Sequence, residues 1–260
     1  MTNLDQRVLE KATKFCPKLG LGKFAIKVNN FQELRYNLVV TEVVYGEKEK
    51  RNVIKLVDKL PFLEKDYAKM EERALAEQIK GHHTYPLKIV ANANGYINKD
   101  SIGNNMPFAL EVLFHEGFHN RDSDLLYLLL EESAAKFVGL KASKIFAQKQ
   151  RKKNPDLFEG VEARIKEEEE KIENFLRIKD KRLEDINCGK IISQDDPNNN
   201  SFLYSLLPYN EFYKLFSDVF DSVGNFRAFI EIIKGLPNIN APQEGYGKAW
   251  KILNEIKQFK

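Results

Sequence analysis

The chain has 260 residues, of which 43% are hydrophobic and 30% are charged, a composition typical of a folded globular protein and not of a disordered one. Its 41 lysines and arginines nearly balance its 38 aspartates and glutamates, and a net charge of +3 without basic clusters argues against a nucleic-acid partner. Because Cys16 and Cys188 cannot build a disulfide framework and no apolar run reaches the roughly 18 residues of a membrane span, we expect a soluble, cytoplasmic protein without a membrane partner.

The first part of the chain, 1–104, carries the signals of both helices and strands. Apolar residues at helical spacing predict one helix over 4–15 and another over 63–74. The segments expected to form strands are 24–28, 38–44 and 87–90, with a loop at 81–86 before the last of them. We therefore expect this part to be a mixture of helices and strands with a small sheet.

The remainder, 105–260, has the pattern of a helical protein. Helices are expected at 108–120, 125–150, 155–186, 212–219 and 226–233, with an asparagine-rich loop at 195–201. The run from Glu167 to Glu170 is expected to lie on a solvent-exposed helix face, the alternative being a coiled coil with a partner. The expected architecture is thus a single α+β domain over 1–260, in which 150–190 is a candidate helical arm.

The sequence His115-Glu116-Gly117-Phe118-His119 is the pattern that indicates a metal-binding catalytic site. Residues four apart on a helix lie one turn apart on the same face, so His115 and His119 can bind one Zn²⁺ together. Zinc lowers the pKa of its water from about 15.7 to near 7, and Glu116 is placed to accept the proton. The alternative is that the two histidines are only hydrogen-bonded at a helix end, but the chain has only four histidines and a chance match is rare.

A catalytic zinc also needs a third protein ligand. No histidine follows position 119, so this ligand has to be a carboxylate, an asparagine, a cysteine or water. Glu131 and Glu132 interrupt an otherwise apolar helix, where a carboxylate is costly unless it is paired or binds a metal. Helical spacing favours Glu132 as the inward-facing residue, the alternative being that one of the two glutamates pairs with Arg121 or a lysine.

The segments 113–119 and 132–139, separated by twelve residues, resemble the zinc-binding core of gluzincins, in particular the predicted bacterial aminopeptidase family. The resemblance implies a zincin-like fold with an N-terminal mixed α/β part, a small sheet and a mostly helical C-terminal half. It implies one zinc ion as cofactor. The ligands that it implies are His115, His119 and Glu132, with Glu116 as the general base.

Peptide hydrolysis also requires a group that stabilises the oxyanion. The resemblance extends to an asparagine-rich stretch followed by a helix with tyrosines, and it offers Tyr209 and Tyr204 for this role. By elimination, His82 and His83 are the other candidates. The chain departs from the family at Glu131, where asparagine is usual, and it has Lys136 where thermolysin-type enzymes have an aspartate. Candidates for steadying the zinc-binding histidines are therefore Asp122, Asp124 and Glu111.

These residues predict a zinc-dependent peptidase that acts on a peptide or small-protein substrate. The resemblance further implies an aminopeptidase, in which Glu131 could bind the amino group of the substrate. Two other functions fit the same motif: a non-catalytic binding protein on a zincin scaffold, and a metal-dependent hydrolase of a non-peptide substrate.

Overall fold

The computed structural model describes residues 5–22, 27–29, 35–41, 56–63, 67–80, 82–88, 91–92, 96–98, 102–120, 128–188, 190, 193, 196–236 and 251–257. In chain order the helices and strands are α1 (Gln6–Phe15), β1 (Lys27–Asn29), β2 (Arg35–Thr41), β3 (Leu56–Leu63), α2 (Tyr67–Ile79), β4 (His83–Lys88), β5 (Ala91–Asn92), β6 (Tyr96–Asn98), α3 (Met106–His119), α4 (Leu128–Gln150), α5 (Pro155–Asn187), α6 (Asn200–Asn210), α7 (Tyr213–Val223), α8 (Phe226–Lys234) and α9 (251–257). Among the described residues the strands lie within the first hundred, and the elements that follow are helices, which confirms the predicted mostly helical second half.

The chain forms two compact units, each built from separate stretches of sequence. The first unit comprises Met1–Asn29, Ala91–Glu169 and Pro208–Lys260, and the second comprises Asn30–Val90 and Glu170–Leu207. Each unit contains one three-stranded sheet. In the first, β6 pairs in parallel with β1 and antiparallel with β5, and in the second β2 pairs antiparallel with both β3 and β4.

The second unit corrects two predictions from the sequence. Residues 83–86 were expected in a loop, but they belong to β4, and the strand β3 was not expected at all. Both strands contain a proline, Pro86 in β4 and Pro61 in β3, and both lie at an edge of the sheet. An edge strand tolerates proline because one side of its backbone has no strand to bond. Helix α2 accordingly begins at Tyr67 and not at Leu63, which ends β3.

Helix α6 begins at Asn200, inside the segment 195–201 that was predicted to be a loop. The backbone N–H of Asn200 donates to Nδ1 of the buried His83 at 3.1 Å, and the N–H of Phe202 donates to the Asn199 side chain at 3.0 Å. These acceptors satisfy N–H groups that the first turn of any helix leaves unbonded. The asparagine-rich stretch therefore caps a helix and is not only a loop.

The first unit packs α3 against α4, and these two helices set the position of the candidate site. Asn105 caps α3, its side chain accepting from the N–H of Phe108 at 3.0 Å, and Pro107 lies in the first turn, where its missing N–H leaves no helix bond unmade. Almost every side chain between Ala109 and Phe118 is buried. The predicted start of the next helix, at residue 125, lies outside the described residues, and α4 is described from Leu128.

Candidate metal centre

Helix α3 places His115 and His119 side by side. Their ring centroids are 4.8 Å apart, and their Nε2 atoms lie 3.1 Å from each other. The side chains are 16% and 14% exposed, so each imidazole is largely surrounded by protein but still reaches the surface of the site. Two imidazole nitrogens so close together can share one cation.

Glu132 on α4 completes the group. Its Oε2 atom lies 3.3 Å from Nε2 of His115 and 3.6 Å from Nε2 of His119. Among the described residues, these three form the one group of histidine, cysteine and acidic side chains whose geometry could hold a metal ion. The structure therefore brings together the three residues that the sequence singled out.

The spacing of the three ligand atoms can be compared with what zinc requires. Ligands about 2.0–2.1 Å from a tetrahedral zinc lie about 3.3–3.4 Å from one another. The three separations here are 3.1, 3.3 and 3.6 Å, so the atoms form a nearly equilateral triangle of the right size. Two imidazoles and one carboxylate are also a donor set typical of catalytic zinc. The residues fit the ion.

Glu131 forms a hydrogen bond with one of the candidate zinc ligands, His119. The Nδ1–H of His119 donates to Oε1 of Glu131 at 3.0 Å, and the Glu131 side chain is only 5% exposed. Such a bond fixes the tautomer and the orientation of a metal-binding imidazole. Burial lowers the pKa of His119, but hydrogen bonds to Glu131 and Glu132 and the neighbouring negative charges outweigh this and raise it.

The sequence missed this role of Glu131. Of the three residues proposed to steady the histidines, Asp122 and Asp124 lie outside the described residues, and Glu111 is paired with Arg164 at 2.8 Å. Glu131 was instead proposed to bind the amino group of a substrate, but its carboxylate is buried against His119. The available signal was the pair of adjacent acids in an apolar helix, since a metal at this site would need only one of them as a ligand.

Glu116 has the environment of a general base. It is 8% exposed, and burial raises its pKa above the ordinary value, as does the charge of Glu132. His115 and His119 oppose this shift and lower the pKa in part. A carboxylate whose pKa is raised towards neutrality is a better proton acceptor than an ordinary glutamate. Glu132 differs: burial alone would raise its pKa, but the two histidines bring it well below the ordinary value.

Tyr209 at the end of α6 lies beside the histidines. Its ring is stacked on that of His115, with centroids 6.2 Å apart and planes inclined by 30°. Burial, with the charges of Glu132 and Glu116, holds the pKa of its hydroxyl well above the ordinary value. Tyr209 is therefore a neutral hydrogen-bond donor at physiological pH. Tyr204 lies in the same helix, but its side chain is outside what the structure describes.

The other two histidines have local partners in the second unit. Nδ1 of His82 lies 2.7 Å from Oε2 of Glu77, and His83 is fully buried and accepts from the first turn of α6. Among the described residues, neither belongs to a metal-binding group. These contacts give both residues a structural role, and Tyr209 is the oxyanion candidate that contacts one of the candidate metal ligands, His115.

Comparisons with protein-family models, with curated proteins and with solved structures find no match for this chain. No helix in the described part of the chain is both long and apolar enough to cross a lipid bilayer. An assignment of function therefore depends on the chemistry of the residues around His115 and His119.

Proposed function

We propose that the protein is a zinc-dependent peptidase of gluzincin type, with a zincin-like α+β catalytic fold. The observation that carries the proposal is the triangle formed by the ligand atoms of His115, His119 and Glu132, with sides of 3.1, 3.3 and 3.6 Å. The triangle has the size that tetrahedral zinc requires, and it lies beside a buried glutamate of raised pKa, the arrangement that peptide hydrolysis needs.

His115, His119 and Glu132 would hold the ion, and Glu131 would keep the His119 ring in place through its Nδ1–H. Bound zinc supplies a Lewis acid, which polarises a scissile carbonyl and acidifies water. Glu116 takes the proton of the attacking water and returns it to the leaving amine. Tyr209 donates its hydroxyl hydrogen to the carbonyl oxygen as negative charge develops there.

The engagement of Glu131 bears on the type of peptidase. An aminopeptidase recognises the ammonium group of its substrate, and a carboxylate is the usual partner for that charge. Glu131 was the candidate, but it is 5% exposed and accepts from His119. We therefore propose peptide-bond hydrolysis without assigning it to the amino terminus of the substrate.

The proposal is tested with the native protein, Glu116→Gln and the exposed control Glu159→Gln. All three should hold about one zinc per chain, measured by elemental analysis after dialysis. Digestion of a mixed peptide library, followed by mass spectrometry, should detect cleavage by the native protein and the control. Glu116→Gln should be slower by at least about 10²–10⁴-fold. Peptides that remain intact with the zinc-loaded native protein, or equal cleavage by Glu116→Gln, would refute the proposal.

A further inference from the structure

The junction between α6 and α7, residues 208–212, is attached to the helix that carries Glu132. The Ser133 hydroxyl, which is fully buried, donates to the carbonyl oxygen of Pro208 at 2.6 Å. It also accepts from the backbone N–H of Phe212 at 3.3 Å. In a continuous helix these two backbone groups would bond to each other, because they are four residues apart. The Ser133 hydroxyl is inserted between them.

A second attachment lies one turn further along α4. Nζ of Lys136 donates to Oδ1 of Asn210 at 3.1 Å and pairs with Oε2 of Glu168 at 2.9 Å. Glu168 is 6% exposed, although the run of glutamates containing it was predicted to lie in solvent. Its other oxygen pairs with Arg164 at 2.9 Å, and Arg164 also binds Glu111 on α3. The ammonium group of Lys136 is therefore anchored by the buried Glu168 while it donates to Asn210.

Tyr209 lies between the two attached residues, Pro208 and Asn210. Among the described residues its hydroxyl has no hydrogen-bond partner, and the stacking on His115 is its aromatic contact. A hydroxyl that must donate to a substrate oxygen cannot be fixed by a permanent partner of its own. Its orientation has to come from the surrounding chain, where Ser133 binds the backbone directly and Lys136 binds the side chain of Asn210.

We propose that Ser133 and Lys136 are positioning residues that clamp the segment 208–212, Ser133 through its backbone and Lys136 through the Asn210 side chain, and so fix Tyr209 against His115. This inference rests on the proposed function for its catalytic consequence. Ser133 follows Glu132 directly in α4, and Lys136 lies one turn beyond it. Lys136, which occupies the position of an aspartate in thermolysin-type enzymes, thus acts here through Asn210.

The clamp is tested by hydrogen exchange in the full-length protein, which needs no activity. Ser133→Ala should make the amides of 209–212 exchange at least about tenfold faster, because a buried backbone pair loses its bridge. The control is Ser143→Ala, since Ser143 is buried on the same helix but bonds only to the backbone of Gly139 at 2.7 Å. Exchange at 209–212 that is the same in Ser133→Ala as in Ser143→Ala would overturn the clamp.

The catalytic consequence is tested with a peptide that the native protein cleaves. Tyr209→Phe should lower kcat by about 10²–10³-fold, and Ser133→Ala by about 10- to 100-fold, with KM and zinc content unchanged. In the Tyr209→Phe background, Ser133→Ala should cost almost nothing further, because it acts through the missing hydroxyl. If the losses from Ser133→Ala and Tyr209→Phe were additive, Ser133 would have a merely structural role and the inference would be overturned. A native kcat in Tyr209→Phe would overturn it as well.

A second variant covers the case in which Ser133→Ala does not fold. Lys136→Met removes the donor to Asn210 and should lower kcat in the same way, whereas Lys136→Arg retains a cationic donor and should restore most of it. Equal activity of Lys136→Met and Lys136→Arg would contradict the role of Lys136. Failure of Glu116→Gln to change cleavage is a different result: it refutes the peptidase, while the exchange measurement still decides the clamp.

Discussion

Gly139 of α4 lies directly against the backbone of His115 on α3. A Cβ atom at position 139 would lie 3.3 Å from Cβ of His115, which is a tight contact, and 2.7 Å from the carbonyl oxygen of Glu111, which is closer than real Cβ atoms come. The absence of a side chain lets α4 approach α3 closely enough for Glu132 to reach both histidines.

We expect Gly139→Ala to push the two helices apart. The unfolding free energy should fall by roughly 1–3 kcal/mol from overpacking, and zinc affinity, measured by competition with a chelator, should fall at least about tenfold. Gly117→Ala is the matched control, because its Cβ would meet nothing closer than the Cys16 sulfur at 3.5 Å, an ordinary contact. Zinc binding equally weakened in both variants would contradict the close approach at Gly139.

Glu131 should matter through His119. Glu131→Ala removes the acceptor for the Nδ1–H, and we expect zinc affinity to fall by about 10- to 100-fold. Glu131→Gln keeps an oxygen in place and should bind zinc more tightly than Glu131→Ala does. Glu132→Ala, which removes a ligand, should be the weakest binder of the three. A Glu131→Ala protein with native affinity in the chelator titration would remove Glu131 from the site.

Arg164 compensates two buried carboxylates, Glu111 and Glu168, at 2.8 and 2.9 Å. Arg164→Ala leaves them with less compensation, and we expect a loss of roughly 3–5 kcal/mol in the free energy of unfolding at neutral pH. The exposed Arg177→Ala should cost little and serves as the control.

The loss in Arg164→Ala should depend on pH. Burial already raises the pKa of Glu111, and Arg164 opposes that shift. A raised pKa means that the folded state binds the proton more tightly, so protonation stabilises the fold below the ordinary pKa of glutamate, and this contribution is lost as the pH rises through the raised value. Denaturant unfolding should therefore find Arg164→Ala closer to the native protein at pH 5 than at pH 8. A difference that is constant across this range would contradict the role assigned to Glu111.

The two cysteines should differ in reactivity. Cys16 is buried, and burial raises the pKa of its thiol to about 12, whereas Cys188 is exposed. Since the thiolate is the reactive form, a thiol reagent should label one cysteine per native chain and two per unfolded chain. In its native state, the Cys188→Ser protein should therefore show almost no labelling, because its remaining cysteine, Cys16, is buried. Rapid labelling of that variant in its native state would show that Cys16 is accessible.

The sequence was most informative where function depends on local spacing. His115, Glu116 and His119 lie within five residues of one helix, so their spacing alone predicts that the two histidines are close. The apolar residues at helical spacing around Glu132 indicated that its side chain faces inward. Helical periodicity also predicted α5 almost to its last residue, Asn187.

The parts that the sequence could not predict depend on contacts between distant residues or on the position of a strand in its sheet. Ser133 and Pro208 are 75 residues apart, and nothing near either one indicates that the other is its partner. Glu168 has exposed neighbours in sequence, and only packing against Lys136 and Arg164 explains its burial. Pro61 argues against a strand unless that strand is known to lie at an edge, which is a property of the whole sheet.

The two carboxylates around His119 have a consequence for which ions the pocket would retain. When both are ionised, Glu131 and Glu132 together carry two negative charges, and both are shielded from water on most sides. A doubly charged ion between the imidazoles would leave this inner pair electrically neutral, whereas sodium or potassium would leave one negative charge uncompensated in a poorly hydrated place. If the site binds a metal as proposed, it would favour a divalent over a monovalent ion before ligand preference discriminates among divalent metals.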